Sequence, residues 1–539
     1  MEIRQKFRLT LACALSAVTS SLEVVFAYFS AKILEHAELG DPEGMWRAIL
    51  ITCGLIVLIY LGVVSSTAAR LSFVSHGAAR MRDDIMASIF RRPLRCFRKE
   101  SDAYYLNLLG ADLEIYSQEK LNLLPYLFGC AASIVFAVVM LWSLSPWLFC
   151  IGALLSILPL AASKLFTDVT QKRKRAVSQT NQEYTAVLKE GIEGYTAIRL
   201  GAGRQSFLER FHATGRRKQR AYSASAMVNT MSMQALYIMA SVLNIACLGV
   251  GGYLALQGQL TIAMLYAATT YATSLSNSFS NITEYVVTIR STKRVTEKLT
   301  EERDTPAVSG NDLPESASAI ISYENVSFAF GPHQLYQGFT WRFNAGGCYA
   351  VLGESGSGKS TLMKLLLRYY DDYTGTIRLA GQDIRELSED VIYGMVGVVD
   401  QAPFLFNATL YENITLFGNS PAKDSREYQD LLSSLNLTGL AQRVGDTPLG
   451  DFGDNISGGE RQRINIARAA RNHPRILIFD EPTTGLDPEN VALIEKYIFS
   501  QTNMTRIVIT HNWDETYLSS FDGVIPIGGK GSDRAATPL

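Results

Sequence analysis

The chain has 539 residues, 47% of them hydrophobic, with 50 basic and 51 acidic side chains and a formal net charge of −1. That near-zero balance says little, because it averages over segments of opposite character. Seven cysteines, at positions 13, 53, 96, 130, 150, 247 and 348, show no metal-ligand spacing, which argues against a disulfide framework and against an N-terminal cysteine-protease domain.

Six apolar stretches occupy the first 300 residues, at 9–34, 48–69, 124–144, 147–166, 235–256 and 261–285. Each is long enough to cross the roughly 30 Å of a bilayer's hydrocarbon, which takes about 20 helical residues. The first is too long for a signal peptide, contains Glu23 and lacks a clean small-residue cleavage site, so it reads as a retained span. Charge fixes the orientation. Arg4, Lys6 and Arg8 precede the first span, Arg70, Arg80, Arg82, Arg91, Arg92 and Arg95 follow the second, Lys172 and Arg175 follow the fourth, and Arg290, Lys293 and Arg294 follow the sixth. The connection after the first span is acidic, with Glu35, Glu38, Asp41 and Glu43. Basic loops stay inside, so both termini and the C-terminal domain are expected on the cytoplasmic face of a cell membrane, bathed by membrane lipids between.

The outer connections are short, whereas those between spans two and three and between spans four and five are long, amphipathic and helical in pattern. Such helices would carry the spans some 30 to 40 Å into the cytoplasm at about 1.5 Å per residue. The sixth span is unusually polar, with Thr269, Thr270, Thr273, Ser274, Ser276, Asn277, Ser278, Ser280 and Asn281. Thr270, Ser274, Asn277 and Asn281 recur at helical spacing and should share a face. The fifth adds Asn229, Met231, Met233 and Gln234 near its cytoplasmic end. Glu23, an acid deep in the first span, is either functional or hydrogen-bonded to a neighbouring span. Beyond 300, residues 301–319 lose periodicity and gather Pro306, Ser309, Gly310, Pro314 and Ser316, a linker to a second domain at 320–539.

In that domain residues 353–360 read GESGSGKS, between the apolar 349–352 and a helical pattern at 361–367. This is the strand–loop–helix setting of a P-loop. Gly353, Glu354, Ser355, Gly356, Ser357 and Gly358 would turn backbone amides toward phosphates, with Thr361 following. Lys359 would sit against the β- and γ-phosphates and the Ser360 hydroxyl against Mg2+. About a hundred residues on come NISGGERQR and then ILIFDEPT. Ser457, Gly458 and Gly459 start a helix whose free amides and dipole suit a second anion.

The ordered set resembles ATP-binding-cassette ATPases, over roughly 320–527, with 456–460 matching the signature, usually LSGGQ. The resemblance implies ATP and Mg2+ as ligands. It places Phe330 on adenine, Gln401 in the Q-loop near the metal, Asp480 as the Mg2+-organising acid and Glu481 as general base for water. Asp487 falls in the D-loop and His511 at the switch histidine. Two departures stand out: Glu460 replaces the usual Gln, adding negative charge near a triphosphate with a modest expected effect on rate or affinity, and the D-loop reads TGLD rather than SALD.

The fold class expected is therefore an α-helical polytopic membrane domain of six transmembrane helices, of exporter type, followed by an α/β P-loop ATPase domain. The family's layout implies short coupling helices near 101–112 and 191–203. It also implies a second half-transporter, identical or different, because each ATP lies between one P-loop and another chain's signature. The expected function is ATP-driven export by alternating access of an unknown transported substrate. The alternatives are import of a metal chelate or siderophore on the same fold, and a soluble cassette ATPase acting on nucleic acid or ribosomes. The six spans oppose the latter, and no nucleic acid partner is expected.

Overall fold

The computed structural model describes residues 2–304, 310–313, 320–450 and 455–528. The chain divides into two compact units, one made of Met1–Ile89 and Asp102–Thr305, the other of Phe90–Ser101 and Pro306–Leu539. Most of the expected linker, at 305–309 and 314–319, lies outside the described residues.

In the first unit, six long helices stand among the described residues: Glu2–Glu38, Pro42–Phe90, Leu124–Leu144, Pro146–Glu193, Arg204–Leu256 and Ile262–Ser291. They contain the six apolar stretches in order. The second, fourth and fifth run for 49, 48 and 53 residues, well beyond what hydrocarbon requires. The basic and polar parts of the long connections are thus extensions of the spans themselves. Among the described residues, four helical segments are long and apolar enough to cross a membrane by length and composition, Ile3–Glu38, Pro42–Phe90, Tyr104–Leu144 and Arg204–Leu256. The fourth helix is described as backbone only over 151–168.

Small residues let these helices approach closely: Ala27, Ala31, Ala137, Ala267 and Ala268 are buried with Leu141, Tyr271 and Leu275. The polar stripe of the sixth helix divides. The Ser274 and Ser133 hydroxyls lie 3.1 Å apart, joining the sixth helix to the third, and Asn244 of the fifth donates to Thr273 Oγ1 at 2.8 Å. The Thr270 hydroxyl turns back onto the Tyr266 carbonyl of its own helix. Asn277 remains exposed and Asn281 half-buried. Glu23 is also exposed within this chain.

The connection between the second and third long helices departs from expectation. It is residues 90–101, just before the expected 101–112, that join the second unit. There the short helix Leu94–Phe97 is tied by the Arg95 guanidinium, which pairs with Asp371 and lies 3.8 Å from Glu389. The Leu94 amide donates to Glu389 Oε2, and Arg98 stacks 4.7 Å from the Tyr369 ring centroid. Residues 102–121 belong instead to the first unit, where Lys298 donates to Asp112 at 2.7 Å and lies over the Tyr104 ring. The second expected segment does hold a short helix, Tyr195–Leu200, between Gly194 and Gly201, with Tyr195 and Leu200 strongly exposed.

The second unit carries two sheets. Strands β1 (Ile321–Phe330), β2 (His333–Phe343), β4 (Thr374–Leu379) and β5 (Gln382–Asp383) form an antiparallel sheet in the order β2-β1-β4-β5. Strands β3 (Cys348–Leu352), β6 (Val396–Val399), β7 (Ile476–Asp480), β8 (Thr505–Thr510) and β9 (Gly523–Pro526) form a parallel sheet in the order β6-β7-β8-β3-β9. The central strands are apolar on both faces, as a sheet covered by helices on both sides requires: every residue of β3 and β8 is buried.

The division of the sixth helix can be tested by chemical labelling. In a cysteine-free background, Asn277→Cys should react with a water-soluble thiol reagent, while Leu275→Cys, at a position 1% exposed, should stay unreactive. Equal labelling at both positions would show that this helix is not packed as described.

Candidate active site

Three parallel strands end side by side at one edge. In register, Leu352 at the end of β3 lies opposite Thr510 of β8, and Asp480 at the end of β7 lies opposite Ile509. The loops that follow, 353–358, 481–487 and 511–514, therefore leave the sheet together, the usual place for ligands in open α/β sheets.

The first of these is the P-loop, and its geometry depends on glycine. Gly358, which precedes the helix Lys359–Leu366, has φ +103°, a conformation that disfavours any Cβ. At Gly353 a Cβ would fall 2.3 Å from the Ile527 carbonyl oxygen and 2.5 Å from Ser357 Oγ. Lys359 is buried and donates to the carbonyls of Gly353 (2.9 Å) and Glu354 (2.8 Å), so its ammonium lies across the loop. The Ser357 hydroxyl is buried with no partner. A concave loop with a cation, a helix N-terminus and an orphaned hydroxyl fits a polyphosphate.

Next to it, Ser360 Oγ donates to Asp480 Oδ1 at 2.9 Å. Burial pushes the Asp480 carboxyl up, Ser360 pulls it down, and the adjacent Glu481 charge adds to the rise, leaving it above the usual carboxylate range. A divalent cation at this pair would offset the clustered negative charge. Glu481 itself has φ +46°, uncommon for a residue with a side chain, and its amide donates to the Ile509 carbonyl at 3.0 Å. This turn aims the carboxylate back across the strand ends. Gln401 Nε2 donates to Glu481 Oε2 at 2.9 Å, Thr484 Oγ1 to the same oxygen at 3.3 Å, and His511 Nδ1 lies 3.8 Å from Oε1. With Nε2 so engaged, the Gln401 carbonyl oxygen is the free acceptor for a metal.

Sequence reading missed what holds Gln401 in place. Asn465 Nδ2 donates to the Asp400 carbonyl, and Arg468 donates to the Phe404 carbonyl at 2.7 Å and to Asn413 O and Oδ1. Burial pushes the Arg468 guanidinium down to about 10. Asn465 and Arg468 lie on the helix Gly458–Ala470 that opens with the signature, so that helix braces the loop after β6. The signal was an ordinary helical polar face, which nothing local marks as functional.

Ser457, Gly458, Gly459, Glu460 and Asp487 form a second cluster. Ser457 caps the signature helix: its hydroxyl accepts from the Glu460 amide at 3.2 Å and donates to Glu460 Oε2 at 3.0 Å, and its own amide donates to Oε2 at 2.8 Å. Ser457 and Gly458 are exposed. Asp487 caps the helix Pro488–Ser500 through Asn490, and Arg463 of the signature helix donates to the Asn490 side chain. Phe330, at the end of β1, stacks edge-on against Phe328 and Tyr370 and keeps 45% of its surface exposed.

Residues 336–484 match the family model described as ABC transporter, and 9–279 that described as ABC transporter transmembrane region. The chain belongs to the ABC transporters. Among its relatives, the mouse (Mus musculus) protein named ATP-binding cassette sub-family B member 10, mitochondrial, is 26% identical over 97% of this chain and 76% of its own length. The ATP-dependent lipid A-core flippase of Francisella tularensis subsp. holarctica is 28% identical over 95% of this chain and 87% of its own. Among solved structures, a bacterial Atm1-family ABC exporter with ATP bound has the same fold, with a TM-score of 0.81 at 22% identity over 97% of this chain and 93% of that one. This ABC transporter thus binds ATP and is an ATPase coupled to transport through a multi-pass membrane region.

Gly353→Ala should displace the P-loop from the β3 edge. ATPase activity should fall by about two orders of magnitude, because roughly 1 Å of misplacement can cost that much. Steady-state phosphate release checks this, and a rate within threefold of the wild type would show that the loop tolerates the clash.

Proposed function

We propose that this ABC transporter is an exporter half, driven by ATP hydrolysis at sites shared between two chains, with its ATPase domain and both termini in the cytoplasm. The observation that carries the reading is the convergence of Lys359, Ser360, Asp480, Glu481, Gln401 and His511 on one edge of the parallel sheet. Phe330 stacks on adenine, and the amides of 353–358 with Lys359 and Thr361 hold the phosphates. Ser360, Asp480 and Gln401 would hold Mg2+, which would neutralise phosphate charge. Glu481 takes the proton of the attacking water, and His511, beside the Glu481 carboxylate, orients the γ-phosphate.

Two features favour a second chain. Ser457 and Gly458 are exposed and the described bonds of Ser457 lie within its own cap, which leaves this helix start open to a phosphate brought by another chain. The Tyr195–Leu200 helix offers exposed apolar side chains far from the apolar spans in sequence. The resemblance to a lipid A-core flippase and to the fold of an Atm1-family exporter supports outward transport over import. The exposed Asn277 supports a polar cargo path beside the sixth helix.

Glu481→Gln should retain ATP binding and lose at least about two orders of magnitude in turnover, in line with removal of a general base. Near-normal hydrolysis would exclude the role. If the protein is a homodimer, co-expressed Lys359→Ala and Ser457→Ala chains should form mixed dimers that hydrolyse ATP faster than either variant alone, since one composite site stays intact. In sealed inside-out vesicles, ATP should drive a labelled cargo inward if the direction is export.

A further inference from the structure

The signature of this chain contains a charge that the rest of the site would not welcome. Glu460 stands at the third position of the signature helix, and its carboxylate holds both the Ser457 amide and the Ser457 hydroxyl proton. A helix start offers about half a positive charge to an anion, and a carboxylate there cancels it. Left alone, Glu460 would oppose a phosphate and compete for the one hydroxyl that the signature could donate to it.

The structure supplies the counterweight. Arg443, on the helix Thr438–Val444, donates from Nη2 to Glu460 Oε1 at 2.9 Å, on the oxygen that Ser457 does not use. The Glu460 side chain is 14% exposed and that of Arg443 56%, so the carboxylate is enclosed while the guanidinium faces the solvent side of the pair. Burial pushes the Glu460 carboxyl up, but Ser457 and Arg443 outweigh it and hold it below the usual range. Arg463, one turn further along, also feels Glu460, but its guanidinium is committed to Asn490. Arg443 alone bonds the Glu460 carboxylate from another element among the hydrogen bonds described for it.

We propose that Arg443 is a positioning residue of the composite nucleotide site: by pairing with Glu460 Oε1 it restores positive potential at the signature helix start, where the partner chain's terminal phosphate would sit. The proposal rests on the reading that Ser457 faces that phosphate. Arg443 touches no nucleotide itself and acts through Glu460.

The test uses the full-length protein in lipid nanodiscs and reads KM for MgATP and kcat separately. Arg443→Gln should raise KM about fivefold with kcat changed less than twofold, because an uncompensated carboxylate a few ångströms from a phosphate repels it on that scale. Glu460→Gln should move KM the other way, about twofold down, and in that background Arg443→Gln should have less than a twofold effect. Arg443→Lys, which keeps the charge, should stay within twofold of the wild type. If the pair were only a structural tie between two helices, Glu460→Gln would be as damaging as Arg443→Gln and the double variant no better than either; that result would overturn the proposal. Ser457→Ala serves as the reference. If it too leaves hydrolysis intact, the reading of the signature fails, whereas a damaging Ser457→Ala beside a harmless Arg443→Gln defeats only the role of Arg443. Equal melting temperatures of the variants exclude misfolding as the cause of a raised KM.

Discussion

The register between β3, β7 and β8 is the constraint on which the ATPase unit depends. Because Leu352 pairs with Thr510 and Asp480 with Ile509, three loops with different sequence patterns leave the sheet at one level. A one-residue slip of β7 would turn Asp480 to the other face and break its 2.9 Å contact with Ser360. The strands resist such a slip because they are buried on both faces, and their side chains fill two separate apolar cores, one around Val351 and Ile478 and the other around Ala350 and Phe479. Alternate residues of the same strands serve each core. The register is thus set by packing over the whole sheet and then used at its edge.

The second theme is the handling of negative charge. Burial raises the carboxyls of both Asp480 and Asp400, and the charges of Glu481 and Asp400 add to the rise at Asp480. Such a cluster is costly without a cation, and it is the arrangement that a nucleotide-bound metal would relieve. Away from the P-loop the solution differs. Glu460 is paired with Arg443 and with the cap it closes, so the extra charge of the signature is not an isolated one.

How much of this was legible follows from the range of the interactions. The P-loop, the Asp480–Glu481 pair and the signature are local patterns, each a strand or helix end with its own turn chemistry, and the structure brings together Ser360 with Asp480 and Gln401 with Glu481 and His511. What escaped was held by distant partners. Arg443 sits 17 residues from Glu460 on an unremarkable amphipathic helix. Arg95 finds Asp371 and Glu389 almost three hundred residues away, so the segment meeting the ATPase unit fell earlier than its pattern suggested. The polar stripe of the sixth helix was visible by its period. Its division into Ser274 and Thr273, which tie helices, and Asn277, which does not, depends on where Ser133 and Asn244 fall on neighbouring helices.

The exposed apolar surface of the helical unit is of two kinds, and the difference bears on assembly. Leu50, Ile56, Val57, Leu58, Tyr60 and Leu61 are exposed along one continuous apolar stretch of the second helix, without a charge between them, as lipid contact requires. Ile192, Tyr195 and Leu200 are equally exposed, but they lie among Lys189, Glu190, Glu193, Arg199 and Arg204, a setting incompatible with hydrocarbon. Water is a poor neighbour for three such side chains within nine residues, and charged residues around an apolar tip are the composition of a protein contact. On the proposed reading, in which the signature serves another chain's nucleotide, a connection of that sort would carry closure of the shared sites to helices of both chains.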